Sequence, residues 1–278
     1  MEKKRVLIIG ATGMLGHMVY RYLDALNKYD LFNSVYRKPL NEKSLICNVK
    51  NQEDVENLFQ KSQPNIVINC VGALVQESNN DPTSAIYLNA LFPHVLKNLC
   101  NVNDAKLIHV STDCVFSGKK GEYSEDDFRD ADDVYGRSKA LGEIFDAPHC
   151  TLRTSIIGPE LKDGTGLFHW FMKQEGEVKG YTNAYWSGVT TYELAKAIEK
   201  VIGNDLKGLY HVTNGEKISK YELLNLFNKL RKEKAIIIPF EGYKVDKSLI
   251  KSKKFDFEVL DYKTMILNFL DINKNLLN

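Results

Sequence analysis

The stretch VLIIGATGMLG, Val6 to Gly16, decides how the chain is read. Its four leading apolar residues, most of them β-branched, fit a strand buried on both faces. Glycines follow at positions 10, 13 and 16, in the spacing G-x-x-G-x-x-G. A pyrophosphate approaching the backbone N–H groups of such a turn would meet any Cβ placed there, which is why glycine is needed. The helix that follows supplies aligned donors and a partial positive charge for the anion. Strand, glycine turn and helix together predict a dinucleotide-binding unit at the start of the chain.

Outward from that turn the pattern repeats. RVLIIG (5–10), LFNSVYR (31–37), NIVINCVG (65–72), KLIHVSTDCVF (106–116) and CTLRTSIIGP (150–159) read as strands. Helical patterns at 14–28, 51–62 and 83–102 separate them, the second with Glu53 and Asp54 in its first turn. Apolar strands alternating with helices predict an α/β fold, a doubly wound parallel sheet of Rossmann type covered on both faces. Beyond residue 160 the alternation loosens. Helices are expected at 191–203 and 219–232 and a strand at KAIIIPF (234–240), with no repeat or linker-like segment.

Composition excludes several function classes. Across 278 residues, 37 Lys and Arg balance 36 Asp and Glu, so neither nucleic acid nor an anionic membrane surface is an expected partner. The KSKK run at 251–254 reads as solvated surface. No stretch approaches the roughly 20 apolar residues of a membrane span, and the N-terminal apolar run is shorter than a signal peptide requires. The five cysteines are scattered, with no CxxC and no Cys/His cluster. They read as reduced thiols of a cytoplasmic protein, with no metal site expected.

Two further places carry chemistry. The second strand ends in Arg37 and Lys38, with no acid to bind a ribose 2′-hydroxyl, which favours the 2′-phosphate of NADPH over NADH. In VYGRSKALGE (134–143), Tyr135 and Lys139 stand four apart, on one helix face. An ammonium beside the phenol is expected to lower its pKa from about 10, and such a phenol can donate a proton to a ketone oxygen.

The glycine turn, the STD of Ser111 to Asp113 and the Y-x-x-x-K pair, in this order, resemble the extended short-chain dehydrogenase/reductases. Within them, VSTDCVFSGKKGEYSEDD and VYGRSKALGE are similar to the dTDP-4-dehydrorhamnose reductase group, with its STDYVFDG and YG-x-SK-x-x-GE. The likeness continues through LRTSIIGP, SGVTTYELAKAI and GLYHVTNGEKIS, fading over the last 40 residues.

The resemblance implies an NAD(P)H-dependent reductase acting on the C4 ketone of a nucleoside-diphosphate-linked 4-keto-6-deoxy sugar, in deoxysugar or surface polysaccharide synthesis. An epimerase or a non-catalytic NADP-binding regulatory subunit are the alternatives. It implies Thr112, Tyr135 and Lys139 as the catalytic residues, with Lys139 also bonding the nicotinamide ribose. Cofactor contacts are implied at Gly10, Thr12, Gly13, Met14, Leu15, Gly16, Arg37, Lys38, Asn48, Val71, Gly72 and Asn89. Asn89 would steady the lysine or be satisfied within its own helix. Substrate contacts would come from Asp113, Val115, Phe116, Arg153 and Trp186, with Phe168, Trp170, Tyr181 and Tyr185 adding aromatic surface. Arg153 reads equally as a pyrophosphate partner or as half of a structural ion pair.

Residues 1–156 would form the dinucleotide-binding domain, joined again by a helix near 190–203, and 157–278 a smaller, irregular, mainly substrate-binding lobe. A homodimer is implied too. Cys114 for the group's tyrosine, Ser117 for its aspartate and Gly72 for its alanine are departures that leave the sugar open. Cys114 reads as an inert thiol, and His109 and His169 as packing or surface residues.

Overall fold

Seven parallel strands make the central sheet: β1 (Arg5–Ile9), β2 (Asp30–Val35), β3 (Ser44–Ile46), β4 (Ile66–Asn69), β5 (Lys106–Thr112), β6 (Cys150–Thr154) and the strand Gly208–His211. Across the sheet the order is Gly208–His211, β6, β5, β4, β1, β2, β3. The computed structural model describes residues 2–161, 164 and 166–272, so residues 162, 163, 165 and 273–278 of the expected C-terminal lobe lie outside the described residues. In register, Val6 stands between Leu31 of β2 and Ile66 of β4.

Period-two alternation in β1 sends side chains to two separate cores. Val6 and Ile8 pack with Met18, Val19 and Leu23 of α1 (Gly16–Leu26) and with Leu194, Ile198 and Val201 of the helix Thr191–Gly203. Leu7 and Ile9 pack with Val55, Leu58 and Phe59 of α2 (Gln52–Ser62) on the other face. Burial on both sides is what the unbroken apolar run of β1 required. The doubly wound parallel sheet expected from the sequence is the observed fold.

Chain direction across the sheet reverses between β1 and β4. In open α/β sheets this switch point opens a crevice beyond the carboxyl ends of the strands.

The helix expected over 83–102 changes pitch along its length. After α3 (Val75–Asn80) and α4 (Pro82–Ala85), residues Ile86–Leu91 form a π turn before α5 (Phe92–Val102). Pro93 has no N–H to offer the carbonyl of Asn89. That carbonyl is approached by Gly142, where any Cβ would collide with it.

Two strands of the central sheet escaped the sequence reading, as did the short strands beyond residue 160 other than Ile236–Phe240. Ser44–Ile46 is three residues long, and Gly208–His211 is a half-buried edge strand with Tyr and His in place of an apolar run. The expected strand 106–116 stops at Thr112, whose hydroxyl accepts the Cys114 amide at 3.1 Å and turns the chain into a single 3₁₀ turn, Asp113–Val115.

Short sheets organise the second half. Glu177–Tyr181 pairs with Ile236–Phe240, and Ala184–Trp186 lies between Ile218–Ser219 and Val245–Asp246. Phe168, Phe171 and Trp186 are core residues, whereas Trp170 is 40% exposed and Tyr181 and Tyr185 are half-buried. Among the described residues no helix is long and apolar enough to cross a membrane.

Candidate active site

The glycine turn sits at the switch point. Gly10 has φ +83°, and a Cβ on it would lie 2.8 Å from Cγ2 of Val71, just beyond β4. A Cβ on Gly16 would run into the Gly10 carbonyl, so glycine there lets α1 close on the turn. The Ala11 amide bonds the Ser34 carbonyl at 2.9 Å, tying the turn to β2.

Unlike α2, capped by Asn51, α1 has no side-chain cap and no acid in its first turn. The amides of Thr12, Met14 and Leu15 donate to no acceptor among the described residues. An uncapped helix start with free amides behind a glycine turn fits a dinucleotide pyrophosphate.

From the turn a cleft of about 850 Å³ runs along the carboxyl ends of the sheet strands. Gly13, Met14 and Leu15 line one end, Val71 and Gly72 its floor, and Thr112, Tyr135 and Lys139 the region beyond β5. Tyr135 and Lys139 come from α6 (Val134–Leu141), which begins at Asp133 with its carboxylate accepting the Gly136 amide at 2.8 Å. Gly136 was not singled out in the sequence, yet it sets the site. Any Cβ there would meet the Cys114 carbonyl, so only glycine lets α6 lie against the Thr112 turn.

The electrostatics correct one expectation. Burial raises the Tyr135 phenol above its usual value, a nearby Cys114 thiol adds to this, and the Thr112 hydroxyl opposes it. The Lys139 ammonium donates to the Val110 carbonyl at 2.7 Å. Burial brings Lys139 down to about 8, with Glu143 and Cys70 pulling the other way. Tyr135 is thus a fully protonated phenol, which suits a proton donor.

Asn89 is fully buried, and it does not bond Lys139. Its side chain takes the Ala73 amide at 2.9 Å, gives to the Ala73 carbonyl at 3.0 Å and reaches the Ser138 hydroxyl at 3.2 Å. It clamps the loop after β4 to the residue preceding Lys139.

Arg153 is 1% exposed. Its guanidinium grips Glu143 with two bonds of 2.7 Å, meets Nε2 of His211 at 2.9 Å and lies 5.0 Å above the Phe116 ring. Of its two readings, the structure takes the ion pair. Glu143, unnoticed in the sequence, also accepts from Ser111 at 2.7 Å and Arg129 at 3.0 Å.

Three more expected substrate contacts are packed away from the cleft. Val115 and Phe116 are fully buried, Phe116 stacking on Tyr123 at 4.1 Å, and Trp186 is 5% exposed in the core. Their apolar side chains complete cores before they can serve a ligand. Asp113 stays beside the site, receiving the Thr112 hydroxyl at 3.1 Å, and burial raises its pKa.

At the other end, Arg37 and Lys38 are exposed just past β2, Arg37 lying 4.8 Å over the Tyr36 ring. Asn48 has its side-chain oxygen on the Lys50 amide at 3.2 Å, closing a local turn. Cys114 lines the cleft, but burial first, and then Asp113, push its thiol up to about 12, which leaves it inert. His109 is buried against Asn69 and held neutral, mainly by burial.

Known proteins bear on this geometry. The family model described as the RmlD substrate binding domain matches residues 4–256. Methionine adenosyltransferase 2 subunit beta of Danio rerio is 28% identical over 238 residues, 79% of this chain and 72% of that protein. The dTDP-4-dehydrorhamnose reductase of Aggregatibacter actinomycetemcomitans is 27% identical over 231 residues, 78% of this chain and 76% of that one. In fold, the dTDP-4-dehydrorhamnose reductase of Bacillus anthracis str. Ames, solved in complex with NADP, aligns with a TM-score of 0.82 at 23% identity, covering 98% of this chain and 100% of that one. The chain belongs to the RmlD substrate binding domain family and is an extended short-chain dehydrogenase/reductase of that type.

Proposed function

We propose that the protein reduces the C4 ketone of a nucleotide-linked 4-keto-6-deoxy sugar, using a nicotinamide cofactor, NADPH in preference to NADH. One observation carries the reading: Thr112, Tyr135 and Lys139 open onto the same cleft as the uncapped glycine turn. A bound nicotinamide would supply hydride to the ketone carbon. Tyr135, protonated, donates to the ketone oxygen, and Thr112 holds that oxygen in place. Lys139, still charged below about pH 8, holds the cofactor ribose. Gly10, Gly13 and the α1 amides hold the pyrophosphate, Arg37 and Lys38 the 2′-phosphate.

In this reading residues 1–156, with the helix near 190–203, bind the cofactor and most of 157–278 binds substrate. The protein works in the cytoplasm, as a homodimer, in deoxysugar supply for surface polysaccharide. The test is oxidation of NADPH and NADH in the presence of dTDP- and UDP-linked 4-keto-6-deoxyhexoses, with products identified by NMR. Consumption with one sugar supports the reading, and none with any, despite cofactor binding, removes it.

A second reading is a regulatory subunit, favoured by the likeness to methionine adenosyltransferase 2 subunit beta. Co-purification with an adenosyltransferase, together with failure to reduce any keto sugar, would select it. An epimerase is disfavoured by the basic end of β2, since epimerases retain NAD.

A further inference from the structure

Two lysines from the second half of the chain stand close to the catalytic turn without an anion of their own. Ser219 and Asp246 both lie opposite Tyr185, on the two strands flanking Ala184–Trp186. Lys220 and Lys247 are the next residues, so both step off this small sheet near the same point.

Lys247 is fixed against the segment that follows Thr112. The Asp246 amide donates to the Gly118 carbonyl at 2.8 Å, and the Glu122 amide to the Ser248 hydroxyl at 2.9 Å. A Cβ on Gly118 would lie 3.0 Å from Cγ of Lys247. Both ammonium groups act on the carboxylate of Asp113, the neighbour of Thr112. Neither lysine makes a hydrogen bond or ion pair among the described residues, although both are half-buried. Nearby Lys217, by contrast, is paired with Asp246 at 2.7 Å.

An ammonium group that has no partner in the protein is open to a ligand anion, and a charge-assisted bond to one is about twice as strong as a neutral one. Asp113 is a poor partner, being 5% exposed and already taken by the Thr112 hydroxyl. Arg153, for which the sequence left a pyrophosphate contact and an ion pair equally open, is sealed against Glu143. A nucleoside diphosphate sugar brings a pyrophosphate of two negative charges, one hexose away from the atom undergoing reduction. We propose that Lys220 and Lys247 form the subsite for that pyrophosphate, with the sugar reaching from them to Thr112 and Tyr135. This rests on the nucleotide-sugar reading above.

The test is calorimetric titration of dTDP and UDP into cofactor-saturated protein, for wild type, Lys220→Gln, Lys247→Gln, the double variant and Lys247→Arg. Each glutamine variant should weaken diphosphate binding about tenfold, the scale of one charge-assisted bond, and Lys247→Arg should keep most of it. Cofactor affinity and the circular dichroism spectrum should not move, which separates a lost subsite from a lost fold. If wild type binds a nucleoside diphosphate and the double variant binds it equally well, the lysine assignment is overturned while the reductase reading stands. If wild type binds neither nucleotide, the nucleotide-sugar reading falls and takes the assignment with it.

Discussion

Replacing Glu143 by glutamine should destabilise the protein more than any exposed charge change could. The Glu143 side chain is 0% exposed and that of Arg153 1%, so neither charge has water to fall back on. Glutamine keeps one acceptor oxygen but loses the charge, leaving the guanidinium without a counter-ion beside His211 and the Phe116 face. Breaking a buried pair from one side costs about 3–5 kcal/mol. For a chain of this size that is roughly a 10 °C fall in Tm.

Arg153→Met should cost less, because the stranded carboxylate keeps Ser111 and the partly exposed Arg129. Glu143→Leu with Arg153→Met should lose less than the two singles summed, since no buried charge remains. Burial disfavours the ionised Glu143, but Arg153, Ser111 and Arg129 outweigh it and hold the carboxyl below the usual range. The pair's contribution is therefore present above the unfolded value of about 4.3 and lost as pH falls through the lower folded value. Urea unfolding followed by tryptophan fluorescence at pH 7 and at mildly acid pH measures all of this. Glu143→Gln within about 1 kcal/mol of wild type would refute the reasoning. So would Arg153→Met raising the sugar KM at unchanged stability, which would return Arg153 to the substrate.

Other perturbations separate the remaining roles. Tyr135→Phe should lower kcat by roughly 10²–10⁴ and leave cofactor binding intact, and undiminished turnover would remove the phenol from proton transfer. Lys139 loses its proton near pH 8 while Tyr135, raised by burial, keeps its own, so the cofactor KM should climb above about pH 8. An alkaline limb that begins only beyond pH 10 would contradict this. Gly16→Ala should weaken cofactor binding at least about tenfold, because the new Cβ meets the Gly10 backbone carbonyl, which no side-chain rotation relieves. Arg37→Ala should shift preference toward NADH, and an unchanged NADPH-to-NADH ratio of kcat/KM would take Arg37 off the 2′-phosphate.

How much of this was legible in the sequence depended on the range of the interaction. The phosphate turn could be read because its physics is local: strand, glycines and helix follow one another between Arg5 and Leu26, and each glycine answers to a neighbour in the same turn or just beyond β4. Tyr135 and Lys139 could be read because four residues of helix put them on one face. The environment of that face could not. The raised phenol and lowered ammonium follow from burial, which the i, i+4 spacing does not report, and the spacing alone suggested the opposite shift for Tyr135.

Arg153 carries the lesson furthest. A cation at the carboxyl end of a strand beside a phosphate-binding cleft has two destinations, and the choice is made ten residues earlier in sequence by Glu143. Once Glu143 is sealed under α6, where Ser111, Arg129 and Arg153 converge on it, the guanidinium is worth more to the frame than to a ligand. The burden of meeting substrate anions then passes to cations that still lack partners. Lys220 and Lys247 are such cations, and they are brought beside Thr112 by strand pairings that no short window of sequence contains.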